Sequence, residues 1–192
     1  MHREGPYRSV HLADAAFLAG MKDTAVLFNT SRGAVVDTGA LRDALRRRDI
    51  GGAVLDVWEG EPDIDQELLA LTDIATPHIA GYSADGKALG TAMSVQQISR
   101  FFGLGLDGWH PAELPRPGSM HIELQGRGAE GISDAVEQTY DILADDRCLR
   151  DDPRGFERQR DLHPVRREFG AYTVSADDAA LLDTLSALGF KS

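Results

Sequence analysis

Three short apolar runs, separated by segments with helical spacing, constrain this chain more than any other feature. Ala25-Val26-Leu27-Phe28, Gly51-Gly52-Ala53-Val54-Leu55-Asp56-Val57 and Ile74-Ala75-Thr76 are bounded stretches that read as buried strands. After the first, Thr38 reads as the N-cap of a helix through about Arg48, with Leu41 and Leu45 on one face and Arg46, Arg47 and Arg48 near the C-terminal dipole. After the second, Leu68, Leu69 and Leu71 predict a short helix beyond Pro62. Strands that are apolar on both faces and alternate with helices imply an α/β fold, a parallel sheet covered on both sides. Such sheets bind ligands beyond the carboxyl ends of their strands, where Arg32, residues 56–61 and His78 emerge together.

The helical pattern returns over residues 87–102 and ends at Gly103-Leu104-Gly105. Pro111, Pro115, Pro117 and Gly118 then form a breaker-rich linker. Beyond it the pattern predicts a strand at 120–124, a helix at 133–143, a strand at 171–174 and a helix at 177–188, a small α+β unit. The charge-dense stretch up to Arg167, with Arg150, Arg154, Arg158 and Arg160 among Asp151, Asp152 and Glu157, reads as a solvated face.

The chain has 192 residues, enough for one medium domain or two small ones. No apolar run approaches the roughly 18 residues of a membrane span, and the first residues lack a signal peptide's apolar core, so a cytoplasmic protein is expected. Cys148 is the only cysteine, which rules out an internal disulfide, and the scattered His110, His121 and His163 fit no metal site. A net charge of -11 argues against a nucleic-acid partner. It leaves an anionic small ligand open, because a few well-placed cations in a cleft outweigh a diffuse negative field.

Hydride transfer from a secondary alcohol needs a base for the hydroxyl proton, a cation for a neighbouring carboxylate and a bound nicotinamide. A histidine titrates near neutrality, so His78 suits the proton, and Glu61 suits the task of orienting its imidazole. Arg32 offers a fork for a 2-hydroxy carboxylate. Taken singly, each has an ordinary reading: a solvated loop arginine, a glutamate before a proline, a histidine in a turn. Their placement at three successive strand ends is what joins them.

Three ordered motifs carry a resemblance. Asn29-Thr30-Ser31-Arg32-Gly33-Ala34-Val35-Val36-Asp37, Leu55-Asp56-Val57-Trp58-Glu59-Gly60-Glu61-Pro62 and Thr76-Pro77-His78-Ile79-Ala80-Gly81 resemble the C-terminal signatures of the D-2-hydroxyacid dehydrogenases. The resemblance implies that Arg32 holds the substrate carboxylate, that Glu61 partners the histidine and that His78 is the general acid and base. It puts Thr30, Ser31, Asp56 and Gly81 near the nicotinamide end of NAD. Gly5-Pro6-Tyr7, His11-Leu12-Ala13-Asp14 and Gly81-Tyr82 with Gly86-Lys87 are similar to a branch of that family acting on 4-phospho-D-erythronate in the route to pyridoxal phosphate, with Tyr82 a substrate contact. That branch carries a C-terminal dimerisation domain, so the resemblance implies a homodimer as well as a phosphorylated small-molecule substrate, and the lack of a long apolar run leaves no membrane partner expected.

On this reading residues 1–86 are the C-terminal half of a Rossmann-type domain, 87–106 a helix leading toward a substrate domain, 107–118 a linker and 119–192 the dimerisation domain. A full domain of this type has about six strands, and three are legible, so an N-terminal truncation that weakens NAD binding is expected. Two stretches match G-x-G-x-x-G. Residues 103–108 follow a helix, the wrong context, and 126–131 lack a following apolar strand that ends in an acid. Neither reads as the dinucleotide loop. The alternatives are a dehydrogenase for another 2-hydroxy acid, such as 3-phosphoglycerate, and a non-catalytic dimerisation fragment.

Overall fold

The computed structural model describes residues 2–192. Its elements run α1 (Ala15–Ala19), β1 (Val26–Asn29), α2 (Thr38–Arg47), β2 (Gly52–Leu55), α3 (Gln66–Leu71), β3 (Ile74–Ala75) and α4 (Ala84–Phe102). They continue with β4 (His121–Glu123), α5 (Gly128–Thr139), α6 (Ile142–Asp151), α7 (Phe156–Asp161), β5 (Thr173–Ser175) and α8 (Ala179–Ala187). Contacts divide the chain into two units. One joins the residues up to Ala80 to Ile142–His163, and the other joins Gly81–Asp141 to Pro164–Ser192. Among the described residues no helix is long and apolar enough to cross a membrane.

The first unit is built on a parallel sheet in the order β1-β2-β3, as the alternation with helices requires. Asn29 is in register with Leu55, and Leu55 with Ala75, so the three strands end at one edge. Leu41 of α2, Leu68 and Leu69 of α3, Ala53 and Leu55 of β2 and Ala75 of β3 share one buried cluster. The cap of α2 is Asp37, not Thr38: Asp37 stays extended and accepts from the backbone N–H of Ala40, while Thr38 already belongs to the helix. Nor is β1 buried on both faces. It lies at the sheet's edge, and Val26 and Phe28, two apart on one face, are 44% and 67% exposed.

Residues 142–163 depart most from the sequence reading, which had carried the C-terminal domain unbroken through 119–192. This charged stretch forms α6 and α7 and clusters with the first unit. Leu149 and Phe156 are 0% and 1% exposed within that unit's core. Nor is Arg150 part of a solvated face, because its guanidinium is spent on a carboxylate and two backbone carbonyls.

In the second unit β4 and β5 pair in parallel, and α5 and α8 pack around Ile122, Val174, Leu181, Leu185 and Phe190. α5 begins at Gly128, a turn and more before the predicted start at 133. Gly131 within it serves close packing: a Cβ there would lie 2.5 Å from Leu181 Cδ2 and 3.0 Å from the Gly126 carbonyl oxygen. Residues 126–131 therefore span the end of the loop after β4 and the first turn of α5, and close packing accounts for Gly126 and Gly131. At the start of α4, Asp85 accepts two hydrogen bonds from the Arg167 guanidinium, at 2.8 and 3.0 Å, and one from the Glu168 backbone. The Arg167 hydrogen bonds outweigh burial and hold the Asp85 carboxyl below its usual range.

Candidate active site

The carboxyl edge of the first unit's sheet gathers the motif residues by a chain of side-chain ties. At the end of β1, buried Asn29 accepts from the backbone N–H and the hydroxyl of Ser31 and donates to the carbonyl of Arg32. That Asx-type turn fixes the loop which presents Thr30, Ser31 and Arg32, all exposed. Arg32 also donates to the Ser31 carbonyl at 2.6 Å. The next residue must be glycine, because a Cβ on Gly33 would lie 1.9 Å from the Trp58 carbonyl carbon. The Arg32 loop is thus seated directly against the loop that follows β2.

At the end of β2, Asp56 is 4% exposed. Its Oδ1 accepts from the Thr76 hydroxyl and the Ile79 N–H, both at 2.7 Å, and its Oδ2 accepts from the Ala80 N–H at 3.1 Å. The carboxylate therefore organises the backbone after β3. Trp58, also buried, donates its indole N–H to the Thr76 carbonyl and so ties the same two loops.

Glu61 and His78 meet across those loops. Glu61 Oε1 accepts from the Trp58 N–H at 2.6 Å, and Oε2 lies 2.8 Å from His78 Nδ1. The two side chains are 21% and 25% exposed, shielded enough to keep the bond and open enough to meet a ligand. With Glu61 ionised, the proton of that bond sits on Nδ1, which leaves Nε2 as the basic atom. His78 holds a φ of +59°, a region costly for a residue with a Cβ, and its N–H donates to the Asp56 carbonyl at 2.7 Å. A strained backbone persists only where its surroundings over-determine it, and such residues concentrate at functional sites.

Sequence reasoning missed a second histidine–carboxylate contact beside this one. His11 Nε2 is 2.7 Å from Glu59 Oε1, and Glu59 Oε2 accepts from the Thr38 N–H at 3.4 Å. Burial works to raise the Glu59 pKa, but hydrogen bonds from His11 and Thr38 together outweigh it and hold the carboxyl below its ordinary range. Glu59 and Glu61, two apart, thus each engage one imidazole. The structural roles of Asn29 and Trp58 were also missed; the one available signal was an Asn at a strand end before a Ser. Gly81 and Tyr82 open the second unit, where Lys87 Nζ stands 3.9 Å over the Tyr82 ring.

Residues 7–80 match the family described as D-isomer specific 2-hydroxyacid dehydrogenase, NAD binding domain. Residues 114–189 match a domain of unknown function (DUF3410). The erythronate-4-phosphate dehydrogenase of Bacteroides fragilis is 44% identical over 174 residues, covering 91% of this chain and 48% of its own length. That of Edwardsiella ictaluri is 41% identical over 194 residues, covering 99% of this chain and 52% of its own length. The chain spans about half the length of the curated relatives it matches. Among solved structures, the D-lactate dehydrogenase of Aquifex aeolicus, complexed with NAD and lactic acid, is 31% identical over 52% of this chain and 35% of its own, with a TM-score of 0.43.

Proposed function

We propose that this chain, whose residues 7–80 match the D-isomer specific 2-hydroxyacid dehydrogenase family, carries the acid–base and carboxylate-binding groups for NAD-linked oxidation of 4-phospho-D-erythronate to its 2-oxo acid, a step toward pyridoxal phosphate. The observation behind the chemistry is the 2.8 Å contact between His78 Nδ1 and Glu61 at the sheet's carboxyl edge. His78 Nε2 takes the proton of the C2 hydroxyl, and Glu61 stabilises the imidazolium that results. Arg32 pairs with the C1 carboxylate and polarises the C2 oxygen when the reaction runs in reverse.

Bound NAD would supply the hydride acceptor. The groups at hand suit its nicotinamide end. Asp56 Oδ2 accepts from Ala80 alone among the described residues, leaving acceptor capacity for an amide N–H, and Thr30 and Ser31 offer exposed hydroxyls. Gly81 as a cofactor contact and Tyr82 as a substrate contact enter this reading through the motif they continue from His78.

The test supplies NAD and 4-phospho-D-erythronate to the chain, alone and mixed with the N-terminal portion of a relative, and follows NADH by absorbance. Turnover in the mixture that falls by about 100-fold or more in His78→Asn and Glu61→Gln is expected. Faster turnover with 3-phosphoglycerate would overturn the substrate. Equal rates in the two variants and the parent would overturn the residue roles. We further infer a homodimer through the second unit, supported by the exposure there of Met120, Val165 and Leu188 at 44%, 64% and 46%. A monomer by sedimentation at micromolar concentration would refute it. A cytoplasmic setting belongs to the same reading and rests on the lone cysteine and the NAD-linked chemistry.

A further inference from the structure

β3 is a two-residue strand with β2 on one side, and an edge so short needs another partner to stay in place. α6 provides it. Asp146, 9% exposed, accepts the Ala75 N–H at Oδ1 over 2.7 Å, the part a neighbouring strand's carbonyl would otherwise play. Arg150, one turn further along α6, grips both oxygens of that carboxylate, with Nε 2.8 Å from Oδ2 and a terminal nitrogen 2.9 Å from Oδ1. The rest of its fork donates to the carbonyls of Leu69 and Thr72 at 2.7 and 2.9 Å. Those carbonyls belong to the C-terminal end of α3, where a helix leaves its last acceptors without intrahelical donors. One side-chain pair thus anchors the end of α3 and the strand after it, while Leu149 between them enters the core.

We propose that Asp146 and Arg150 are positioning residues for His78. Only Thr76 and Pro77 separate Ala75 from His78, and Thr76 is tied to Asp56 and Trp58. Those ties all come from the β2 side. Asp146 holds the opposite side of β3, so that the strand cannot drift outward and let His78 relax from its +59° φ, which would draw Nδ1 away from Glu61. The carboxylate is held in turn by a planar fork that a lysine cannot reproduce.

The catalytic meaning of this brace rests on the dehydrogenase reading, but its geometry can be read without turnover. The experiment uses the whole chain and compares Asp146→Ala, Asp146→Asn and Arg150→Lys by NMR, following the hydrogen-bonded Nδ1 proton of His78 and the exchange of the Ala75 amide. Asp146→Ala should displace or broaden the His78 proton and speed Ala75 exchange by about tenfold or more, leaving Ile122 and Val174 in the second unit unchanged. Asp146→Asn keeps an acceptor for Ala75 and should retain the parental His78 signal. Arg150→Lys should move it in the same direction as Asp146→Ala; if Asp146→Ala does not fold, Arg150→Lys decides. Folded variants whose His78 signal and Ala75 exchange match the parent overturn the proposal. Where turnover is reconstituted, Asp146→Ala should lower kcat with KM unchanged. An intact His78–Glu61 signal in a parent that never reduces NAD would instead sink the dehydrogenase reading and leave the brace standing.

Discussion

Truncating Leu149 to alanine tests whether the charged segment 142–163 is built into the first unit. Leu149 is 0% exposed and shares a cluster with Phe156, Leu69 and Ala75, so the deleted carbons leave a cavity that rigid sheet and helix backbone closes only in part. Leu→Ala at such sites costs about 2–5 kcal/mol. For a chain of this size each kcal/mol moves the midpoint of thermal unfolding by about 2–4 °C, so a drop of about 4–20 °C follows. The control is Leu162→Ala at a position 74% exposed, where the change stays within about 0.5 kcal/mol. Trp58 is buried in the first unit, so urea titration followed by tryptophan fluorescence in a Trp109→Phe background reports that unit alone. A Leu149→Ala midpoint equal to that of Leu162→Ala, with the same slope, would show that the segment packs elsewhere.

Other outcomes follow from the same geometry. Gly33→Ala drives a Cβ into the Trp58 backbone at 1.9 Å and should destabilise the first unit by more than about 3 kcal/mol; a midpoint unchanged in urea would refute the close approach. Arg167 depresses the Asp85 pKa in the folded state, so the stabilisation is complete above the unfolded value of 3.8 and is lost as pH falls through the lower folded value. Trp109 fluorescence should therefore show the second unit weakening below about pH 4, and Asp85→Asn, weaker at neutral pH, should remove that dependence. Persistence of the parental acid sensitivity in Asp85→Asn would refute it.

Much of the site was legible because its residues sit where periodicity breaks. Arg32, residues 56–61 and His78 each follow an apolar run, and a parallel sheet brings such positions to one edge whatever its details. The choice of Asp37 over Thr38 as cap was not legible: both side chains can accept a backbone N–H, and only the dihedrals of Asp37 decide. The exposure of Val26 and Phe28 was hidden for a different reason, since an apolar run records what a face prefers and not what covers it. Least legible was α6, where Leu149 sits between Arg147 and Arg150 amid three aspartates. Charge density reads as solvation, yet Asp146 and Arg150 consume one another's charge and the hydrogen-bonding capacity of α3 and β3. No one-dimensional pattern separates a charge directed at water from a charge directed at a carbonyl.

The return of the chain to the first unit at Ile142–His163 has a consequence for its birth on the ribosome. β3 emerges long before the segment that closes its outer edge: about 80 residues separate Ala75 from Phe156, about 4–16 s of elongation at typical rates. Through that interval the surfaces later covered by Leu149 and Phe156 stand open, while the polypeptide for α4 and α5 is still being made. Transiently open apolar surface of this kind is an aggregation hazard, and it closes only when α6 and α7 arrive.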